Sequence, residues 1–284
     1  NKYANPGKAV DVWSDHLKSF GLGQFMGSDL PTGKRGNIPT SKTYKRIYPN
    51  GGWRSTTIVS NAIGQGEVLM TPIQLANMMA TVANQGYYYT PHIIKKIEGK
   101  KIDAKFTTKH TTSIDQKYFP PVISGLFDVY NKGTAYALKV NGIDICGKTG
   151  TAENFAKING KRTQLKDHSI FVAFAPKDDP KIAIAIMIEN GGFGATVAGP
   201  IASLMIEKYL RKKITRTDLE TRVLNKSLAG EYAKLGGMNE ASKIESVPKD
   251  SILQAKIVKP KAPAATATPK TEVQKTAVDT TKKN

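Results

Sequence analysis

Cysteine is almost absent from this chain of 284 residues, and there are only two tryptophans. The single cysteine, Cys146, excludes an internal disulfide but indicates nothing about the redox compartment. The longest uninterrupted apolar run, "IAIAIMI" at 182–188, is far too short for a transmembrane helix, which needs about 20 apolar residues. No signal peptide is visible. Histidines are also few: His16, His92, His110 and His168. Because they show no metal-ligand spacing, we predict neither a metal site nor another cofactor.

Acidic residues are scarce beside basic ones. The chain has 23 Asp and Glu against 42 Lys and Arg, which gives a formal net charge of +19. Such a field favours anionic partners. However, no RNA- or DNA-binding motif accompanies the charge and the lysines are spread along the chain, so we predict no nucleic-acid partner. Lys161, Arg162 and Lys166 are expected in a solvated loop that could meet an anionic peptide.

Composition changes beyond Lys213 and divides the chain into two predicted regions, a folded part at 1–213 and a basic tail at 214–284. The end of the tail, "KPKAPAATATPKTEVQKTAVDTTKKN", is predicted to be disordered, because it cannot bury enough apolar surface to offset its ordering entropy. Before it, "TDLETRVLNKSLAGEYAKLGG" predicts one exposed helix that ends at Gly236.

Two helices have clear boundary signals. In "TPIQLANMMATVANQG", Thr71 can cap the helix, Gln74 can complete a capping box, and Gly86 can supply a left-handed stop. "GPIASLMIEKYLRKK" predicts a closing helix with Pro200 in its first turn. Its predicted apolar stripe consists of Ile201, Leu204, Met205 and Tyr209.

From Ile143 onwards the period of apolar residues changes to two, which predicts three strands: "GIDICGKTGTA", "HSIFVAFAP" and "KIAIAIMIEN". The tight turn "PKDDP" predicts that the last two pair as an antiparallel hairpin. In the first strand, Thr149 and Thr151 would share one face and Lys148 would lie on the other. Cys146 is expected to be an unreactive strand residue, and Glu189 and Asn190 are expected to form a turn.

The first of these strands overlaps a second motif, since Gly142 to Thr149 spells the G-x-x-x-x-G-K-T of a phosphate-binding loop. That loop needs a helix beginning at its Lys-Thr, but Gly150 would lie in the first turn of such a helix. The β-branched residues before Cys146 favour an extended strand instead. We therefore favour the strand and keep a nucleotide hydrolase as an alternative.

An extended K-T-G segment at a sheet edge could bind a peptide as an additional strand. The hydroxyls of Thr149 and Thr151 could bind the terminal carboxylate of the peptide, and the ammonium of Lys148 would add charge. Gly147 and Gly150 would allow the substrate to approach the backbone closely.

Several segments together resemble class B penicillin-binding proteins, and within them the cell-elongation type: "FGLGQFMGSDLPTGKRGNIPT", "AIGQGEVLMTPIQLANMMATVANQG", "NKGTAYALKVNGIDICGKTGTAEN", "DHSIFVAFAPKDDPKIAIAIMIENGG" and the closing helix. They cover most of residues 17 to 211. The resemblance implies an α+β penicilloyl-serine transferase fold, with an antiparallel sheet flanked by helices. It also implies a D,D-transpeptidase that crosslinks stem peptides ending in D-Ala-D-Ala through a serine acyl-enzyme, which β-lactams would trap.

The same resemblance implies roles for four residues. Lys148 would hydrogen-bond a serine of the second family motif. Thr149 would bind the carboxylate of the substrate or β-lactam, with Gly150 and Thr151 supporting. The backbone N–H of Thr151 would form half of the oxyanion hole.

Two family motifs are missing at their expected places before K-T-G. S-x-N does not occur, and S-x-x-K occurs once, as Ser246 to Lys249, where Pro248 argues against the helical turn that the motif needs. Ser246 is therefore rejected as the nucleophile. Since the chain begins at Asn1 rather than Met, we expect the nucleophile upstream in a longer parent, a fold incomplete at its N-terminus, and no catalysis by this chain alone.

The resemblance further implies a location and partners. The parent would lie on the periplasmic face of the inner membrane, anchored by an N-terminal helix absent from this chain. A membrane glycosyltransferase of the elongation machinery would be its partner. A non-catalytic penicillin-binding homologue that serves as a scaffold is the remaining alternative, because the nucleophile lies outside this sequence.

Overall fold

The structure, a computed structural model, describes residues 5–30, 33–158 and 160–233. Within these ranges the α-helices are α1 (Pro6–Lys18), α2 (Ser41–Ile47), α3 (Pro72–Ala83), α4 (Ala104–Thr107), α5 (Phe119–Asn131), α6 (Ala198–Arg211), α7 (Thr217–Leu224) and α8 (Ala229–Ala233). Short 3-10 helices lie at Ser55–Ile63, Gln116–Tyr118 and Tyr136–Leu138. None of these helices combines the length and the apolar character that crossing a membrane requires.

The described strands are β1 (Tyr87–Tyr89), β2 (Lys109–Thr111), β3 (Cys146–Ala152), β4 (Phe155–Ile158), β5 (Lys161–Gln164), β6 (His168–Ala175) and β7 (Ile182–Ile188). The main sheet has the order β3-β6-β7 and is antiparallel throughout. β1 with β2 and β4 with β5 form two small antiparallel pairs. The predicted hairpin of β6 and β7 is confirmed.

The central strand β6 is apolar on both sides because each of its faces packs against a hydrophobic core. Phe171 and Ala173 point towards α6, whereas Val172 and Phe174 point towards α3 and α5. Successive side chains of a strand point to opposite faces, so a single run, "HSIFVAFA", supplies both cores. The predicted α+β arrangement of an antiparallel sheet flanked by helices is confirmed.

Helix α3 begins as its sequence predicts. The Thr71 hydroxyl accepts a hydrogen bond from the backbone N–H of Gln74, and the Gln74 side chain accepts one from the backbone N–H of Thr71. The predicted capping box is thus confirmed. At the other end, Gln85 adopts a left-handed φ of 56° before Gly86 does so at 112°, so the stop begins one residue earlier than predicted.

The apolar stripe predicted for α6 is wrong at two positions. Met205 and Tyr209 are each 49% exposed, whereas Ala202 and Ile206 are fully buried against the sheet. Ala202 and Ile206 are one helical turn apart on the face that packs in the core with Phe171 and Ala173, whereas Met205 and Tyr209 lie on another face. The apolar spacing alone did not distinguish between these two faces.

Two further expectations differ from the structure. Lys161 and Arg162 lie in β5 of a short hairpin rather than in a loop, and the Arg162 guanidinium lies 3.9 Å from the Phe155 ring centre. The segment after residue 213 forms two helices, α7 and α8, rather than one exposed helix, and α7 buries Leu219. The end predicted at Gly236 and most of the basic tail lie outside the described residues. The boundary at residue 213 stays a prediction.

Candidate functional site

Strand β3 carries the K-T-G segment and is an edge strand in the part of the chain that the structure describes. Cys146 to Ala152 pair with Phe174 to His168 of β6, and no described strand pairs with the other side of β3. The chain is therefore extended at Thr149, where a phosphate-binding loop would start a helix. The phosphate-loop interpretation is wrong. Strand β3 also begins later than predicted, since Ile143 bridges to Val140 in a turn.

The backbone of β3 presents two residues outward, away from β6. The Thr149 carbonyl accepts a hydrogen bond from Lys148 Nζ at 2.9 Å, and the Thr151 carbonyl accepts one from Gln65 Nε2 at 3.5 Å. Neither donor belongs to β6. In an antiparallel ladder the N–H and C=O of one residue point to the same side, so the N–H groups of Thr149 and Thr151 also face outward. An oxyanion hole or a docking peptide requires such a free edge.

The side chains of β3 alternate as the sequence predicts. Cys146 points towards α3 and α5, so Lys148, two residues on, lies on that same face, where it is exposed. Thr149 lies on the opposite face, and its hydroxyl is 3.1 Å from the Thr134 hydroxyl. The half-buried Thr151 follows on the face of Thr149. A cation and two hydroxyls therefore flank one exposed backbone edge.

Sequence reasoning missed Thr134, which lies in the loop after α5. A Cβ at the preceding Gly133 would lie 2.8 Å from the backbone of Val129, so glycine permits the close turn that leads into this loop. The next residue, Ala135, is completely buried and anchors the loop in the core. The available signal was "NKGTAYA" within the family-like segments, but nothing in it indicated a contact with Thr149.

Gln65 was missed for the same reason, since it lies far from β3 in sequence. It belongs to "AIGQGEVLM", another of the family-like segments. The loop that contains it follows the 3-10 helix Ser55–Ile63 and reaches the outer side of β3. The contact depends on tertiary packing, which the local sequence pattern does not report.

Cys146 is a buried residue of the core and not part of the exposed edge of β3. Its side chain is completely buried in the core beneath the sheet, and its Sγ lies 3.6 Å from the Ile123 carbonyl oxygen. Burial raises the pKa of the Cys146 thiol to about 12, and the nearby Lys177 offsets this only in part. The predicted buried strand position of Cys146 is confirmed. Because the thiolate is the nucleophilic form, low reactivity is expected and stays a prediction.

Gly147 has a packing role rather than the substrate-contact role that the sequence suggested. It is buried, and a Cβ there would lie 2.9 Å from the Val172 carbonyl oxygen of β6. A Cβ at Gly150 would lie 3.1 Å from the Ile170 Cβ, which is a tight but less severe contact. Strand β6, and not a substrate, is therefore what approaches the backbone closely at Gly147. The substrate-contact role of Gly150 stays a prediction.

A hydrogen-bonded turn closes the end of the site region beyond β3. Asn190 adopts a left-handed φ of 54° and is buried, which confirms the predicted turn at Glu189 and Asn190. The Asn190 side-chain oxygen accepts a hydrogen bond from Asn154 Nδ2 at 2.7 Å, and its backbone N–H donates to His168 Nδ1 at 3.2 Å. These contacts connect the end of β3 to the turn after β7.

No cluster of three or more His, Cys, Asp or Glu side chains suited to a metal occurs within the described ranges. The predicted absence of a metal remains a prediction. The segment Ser246 to Lys249, which carries the one S-x-x-K spelling, lies outside the described residues.

The family model described as the penicillin binding protein transpeptidase domain matches residues 9–207, which is more than half of the chain. The chain therefore belongs to the penicillin-binding protein transpeptidase family. This confirms the resemblance that the segments around K-T-G indicated, and with it the fold.

Within the family, the chain is similar to MrdA and PBP2 proteins. Peptidoglycan D,D-transpeptidase MrdA of Acinetobacter baumannii is 31% identical over 241 residues, covering 80% of this chain and 34% of that protein. Pseudomonas aeruginosa PBP2, crystallised with WCK 5153, has a TM-score of 0.60 and 30% identity over 73% of this chain and 44% of its own. A peptidoglycan synthase complex described as coordinating polymerization and crosslinking matches with a TM-score of 0.60 and 31% identity over 74% of this chain and 35% of its own. The chain thus spans about a third of the length of the curated MrdA proteins of Acinetobacter baumannii and Haemophilus influenzae.

Proposed function

We propose that this chain is the C-terminal part of the transpeptidase domain of an elongation-type peptidoglycan D,D-transpeptidase. The observation that carries the proposal is the outer edge of β3, where Thr149 and Thr151 present their peptide groups away from β6. Membership of the transpeptidase family and the similarity to MrdA support it.

The donor substrate is a stem peptide that ends in D-Ala-D-Ala and lies along the outer edge of β3. The Thr149 hydroxyl binds its terminal carboxylate, with Gly150 and Thr151 supporting. The exposed ammonium of Lys148 contributes positive charge and hydrogen-bonds the serine of the second family motif. An extended peptide and an edge strand are complementary because both have unpaired backbone donors and acceptors.

The reaction is acyl transfer in two steps. A serine oxygen attacks the penultimate carbonyl carbon, and the oxyanion that forms accepts a hydrogen bond from the Thr151 N–H. Collapse of this intermediate breaks the amide bond, and D-alanine leaves with a proton on its nitrogen. An amine of a neighbouring stem then attacks the acyl-serine ester, forms the crosslinking amide and releases the serine. Loss of one oxyanion donor typically costs about 3 kcal/mol in the transition state.

The serine nucleophile, its lysine and the S-x-N residues belong to the part of the longer protein that precedes this chain. The 284-residue chain alone is therefore inactive. β-Lactams acylate the same serine, because their strained amide occupies the place of the D-Ala-D-Ala amide.

The longer protein works on the periplasmic face of the inner membrane, anchored by a helix upstream of this chain, and acts with a membrane glycosyltransferase of the elongation machinery. Similarity to a structure described as a peptidoglycan synthase complex that coordinates polymerization and crosslinking supports this partner. Nucleic acid is not a partner.

The test is labelling of the longer protein with a fluorescent penicillin. We expect a covalent adduct on the unsubstituted protein, slower labelling of Thr149→Val, and no labelling of the 284-residue chain by itself. Thr163→Val is the matched control, since Thr163 is also a strand threonine but lies in β5, which pairs with β4 and not with β3.

An unlabelled longer protein would contradict the enzyme and favour the scaffold. A Thr149→Val protein that labels at the unsubstituted rate would contradict the role of Thr149 alone.

A further inference from the structure

The short loop that follows the 3-10 helix Ser55–Ile63 has a tightly fixed backbone. Gly64 and Gly66 both adopt left-handed φ values, 76° and 67°. The N–H of Gly64 donates to the Asn61 carbonyl at 3.1 Å, and the N–H of Gln65 donates to the Ser60 carbonyl at 3.0 Å. Two left-handed residues on either side of Gln65 therefore determine the direction in which its side chain leaves the loop.

A buried hydrogen-bond network holds the loop from below. The side chain of Tyr44 is completely buried, and its hydroxyl donates a hydrogen bond to Glu67 Oε2 at 2.7 Å. Asn61 Nδ2 donates to the Tyr44 oxygen at 2.5 Å, and Asn37 Nδ2 donates to the Glu67 carbonyl at 2.6 Å. These bonds connect both ends of the loop, at Asn61 and at Glu67, to one buried tyrosine.

Gly66 is required at the centre of this arrangement. A Cβ on Gly66 would lie 2.9 Å from Asn61 Oδ1, in addition to the strain of a side chain at its left-handed φ. Any larger residue would displace either the loop or Asn61. A side chain at position 66 would therefore disturb Asn61 and the network that holds the loop containing Gln65.

The half-buried side chain of Gln65 crosses from this loop to β3, where its Nε2 lies 3.5 Å from the Thr151 carbonyl oxygen. We propose that Gln65 is a positioning residue of the transpeptidase site, which holds the outward peptide groups of Thr151 in place for acylation. This role rests on the proposed function. Gln65 acts through Thr151 rather than on the reacting atoms.

The length of this contact fits such a role. A carbonyl oxygen has two acceptor lone pairs, so a peptide that pairs with β3 can donate to the Thr151 oxygen while Gln65 keeps the other lone pair. A contact of 3.5 Å is at the long limit of a hydrogen bond and leaves the edge accessible. The N–H and the carbonyl of Thr151 flank the same Cα and face the same side of β3, so a contact that holds the carbonyl outward favours the strand conformation in which the N–H also faces outward.

The experiment compares fluorescent-penicillin acylation of the longer protein with that of three variants. Gln65→Ala removes the donor, and Gln65→Glu keeps the shape but replaces the donor with an acceptor. Gln116→Ala is the matched control, because Gln116 is exposed and makes a similar contact, at 3.4 Å, with Gln85. We expect Gln65→Ala to acylate about fivefold more slowly, as loss of one neutral hydrogen bond predicts, with an unchanged melting temperature. Gln116→Ala should match the unsubstituted protein.

A pH series separates positioning from general structural damage. A protonated glutamic acid can donate as glutamine does, and its ordinary pKa is about 4.3. The acylation rate of Gln65→Glu, divided by the unsubstituted rate at the same pH, should therefore rise as the pH falls from about 7.5 to about 5. The same ratio for Gln65→Ala should stay flat.

Two outcomes would contradict this role while leaving the proposed function intact. One is a Gln65→Ala protein that acylates at the unsubstituted rate, and the other is a Gln65→Glu ratio that does not rise at low pH. If Gln65→Ala does not fold, the pH dependence of Gln65→Glu decides the question. Absence of any adduct on the unsubstituted protein would overturn the transpeptidase proposal itself.

Discussion

The hydroxyl groups of Thr134 and Thr149 lie 3.1 Å apart, so the loop after α5 and the K-T-G strand share a hydrogen bond at the exposed edge of the sheet. A hydroxyl has one proton. When Thr134 donates to Thr149, the Thr149 proton remains free for an anion. When Thr149 instead donates to Thr134, the Thr149 proton is already engaged and cannot bind an anion. A bound carboxylate therefore selects the arrangement in which Thr134 is the donor.

Thr134→Val should slow acylation by a penicillin about fivefold, because Thr149 then loses the neighbour that orients its hydroxyl. Thr134→Ser, which keeps the hydroxyl, should restore the rate. The melting temperature should not change, since Thr134 is exposed. The measurement is the second-order rate of adduct formation. A Thr134→Val rate equal to that of the unsubstituted protein would show that Thr149 needs no such partner.

Glu207 of α6 is a buried charge that connects α6 to the segment before α7. Its carboxylate is completely buried, and it accepts hydrogen bonds from Arg216 Nε at 2.9 Å and from the Thr215 N–H at 3.1 Å. Arg216 also donates to the Leu138 carbonyl, so this pair connects three segments. Removing one partner of a buried ion pair leaves the other charge without compensation.

Glu207→Gln should therefore lower the free energy of unfolding by about 3 kcal/mol. Glu98→Gln is the control, because Glu98 is exposed in a loop. Chemical denaturation of the longer protein measures both. If Glu207→Gln lowered the free energy of unfolding no more than Glu98→Gln does, the charge of Glu207 would contribute little to stability.

The same carboxylate makes stability depend on pH. Burial alone raises the pKa of Glu207, but hydrogen bonds from Thr215 and Arg216 outweigh it, and the pKa of the folded state lies below the ordinary 4.5. A lowered pKa in the folded state means stability that is present above the ordinary pKa and is lost as the pH falls through the folded value. The melting temperature should thus drop in acid, below the ordinary pKa, and the drop should be smaller in Glu207→Gln. An equal drop in both proteins would assign the acid sensitivity to other groups.

Local signals in the sequence predicted those elements whose determinants are close together in the chain. The box of Thr71 and Gln74 begins α3, and the alternation in β6 and β7 defines the main hairpin. The prediction from sequence was wrong where one apolar pattern is compatible with burial of either of two helix faces, as at Met205 of α6. It also failed for Thr134 and Gln65, which approach β3 only after the chain has folded. The residues of β3 itself could be predicted, whereas those that orient β3 could not.

The thiol of Cys146 should resist alkylation in the folded protein. With a pKa of about 12, raised mainly by burial, almost none of it is thiolate at neutral pH. Iodoacetamide followed by mass spectrometry of the peptide that contains Cys146 measures this, with and without denaturant. We expect modification only in denaturant. Rapid modification of the folded protein would show that α5 opens away from β3.

Two glycines provide a matched pair for testing the packing of β3. A Cβ at Gly147 would lie 2.9 Å from the Val172 carbonyl oxygen, whereas no described atom outside its own helix lies within 4 Å of a Cβ at Gly125 in α5. Gly147→Ala should therefore destabilise the protein by about 2 kcal/mol, because backbone must move to accommodate the methyl group. Gly125→Ala should stabilise it by about 0.5 to 1 kcal/mol, since alanine loses less conformational freedom in a helix. Denaturation midpoints measure both changes. If Gly147→Ala were as stable as the unsubstituted protein, β3 and β6 would be less tightly packed than the structure has them, and the close approach at Gly147 would need another explanation.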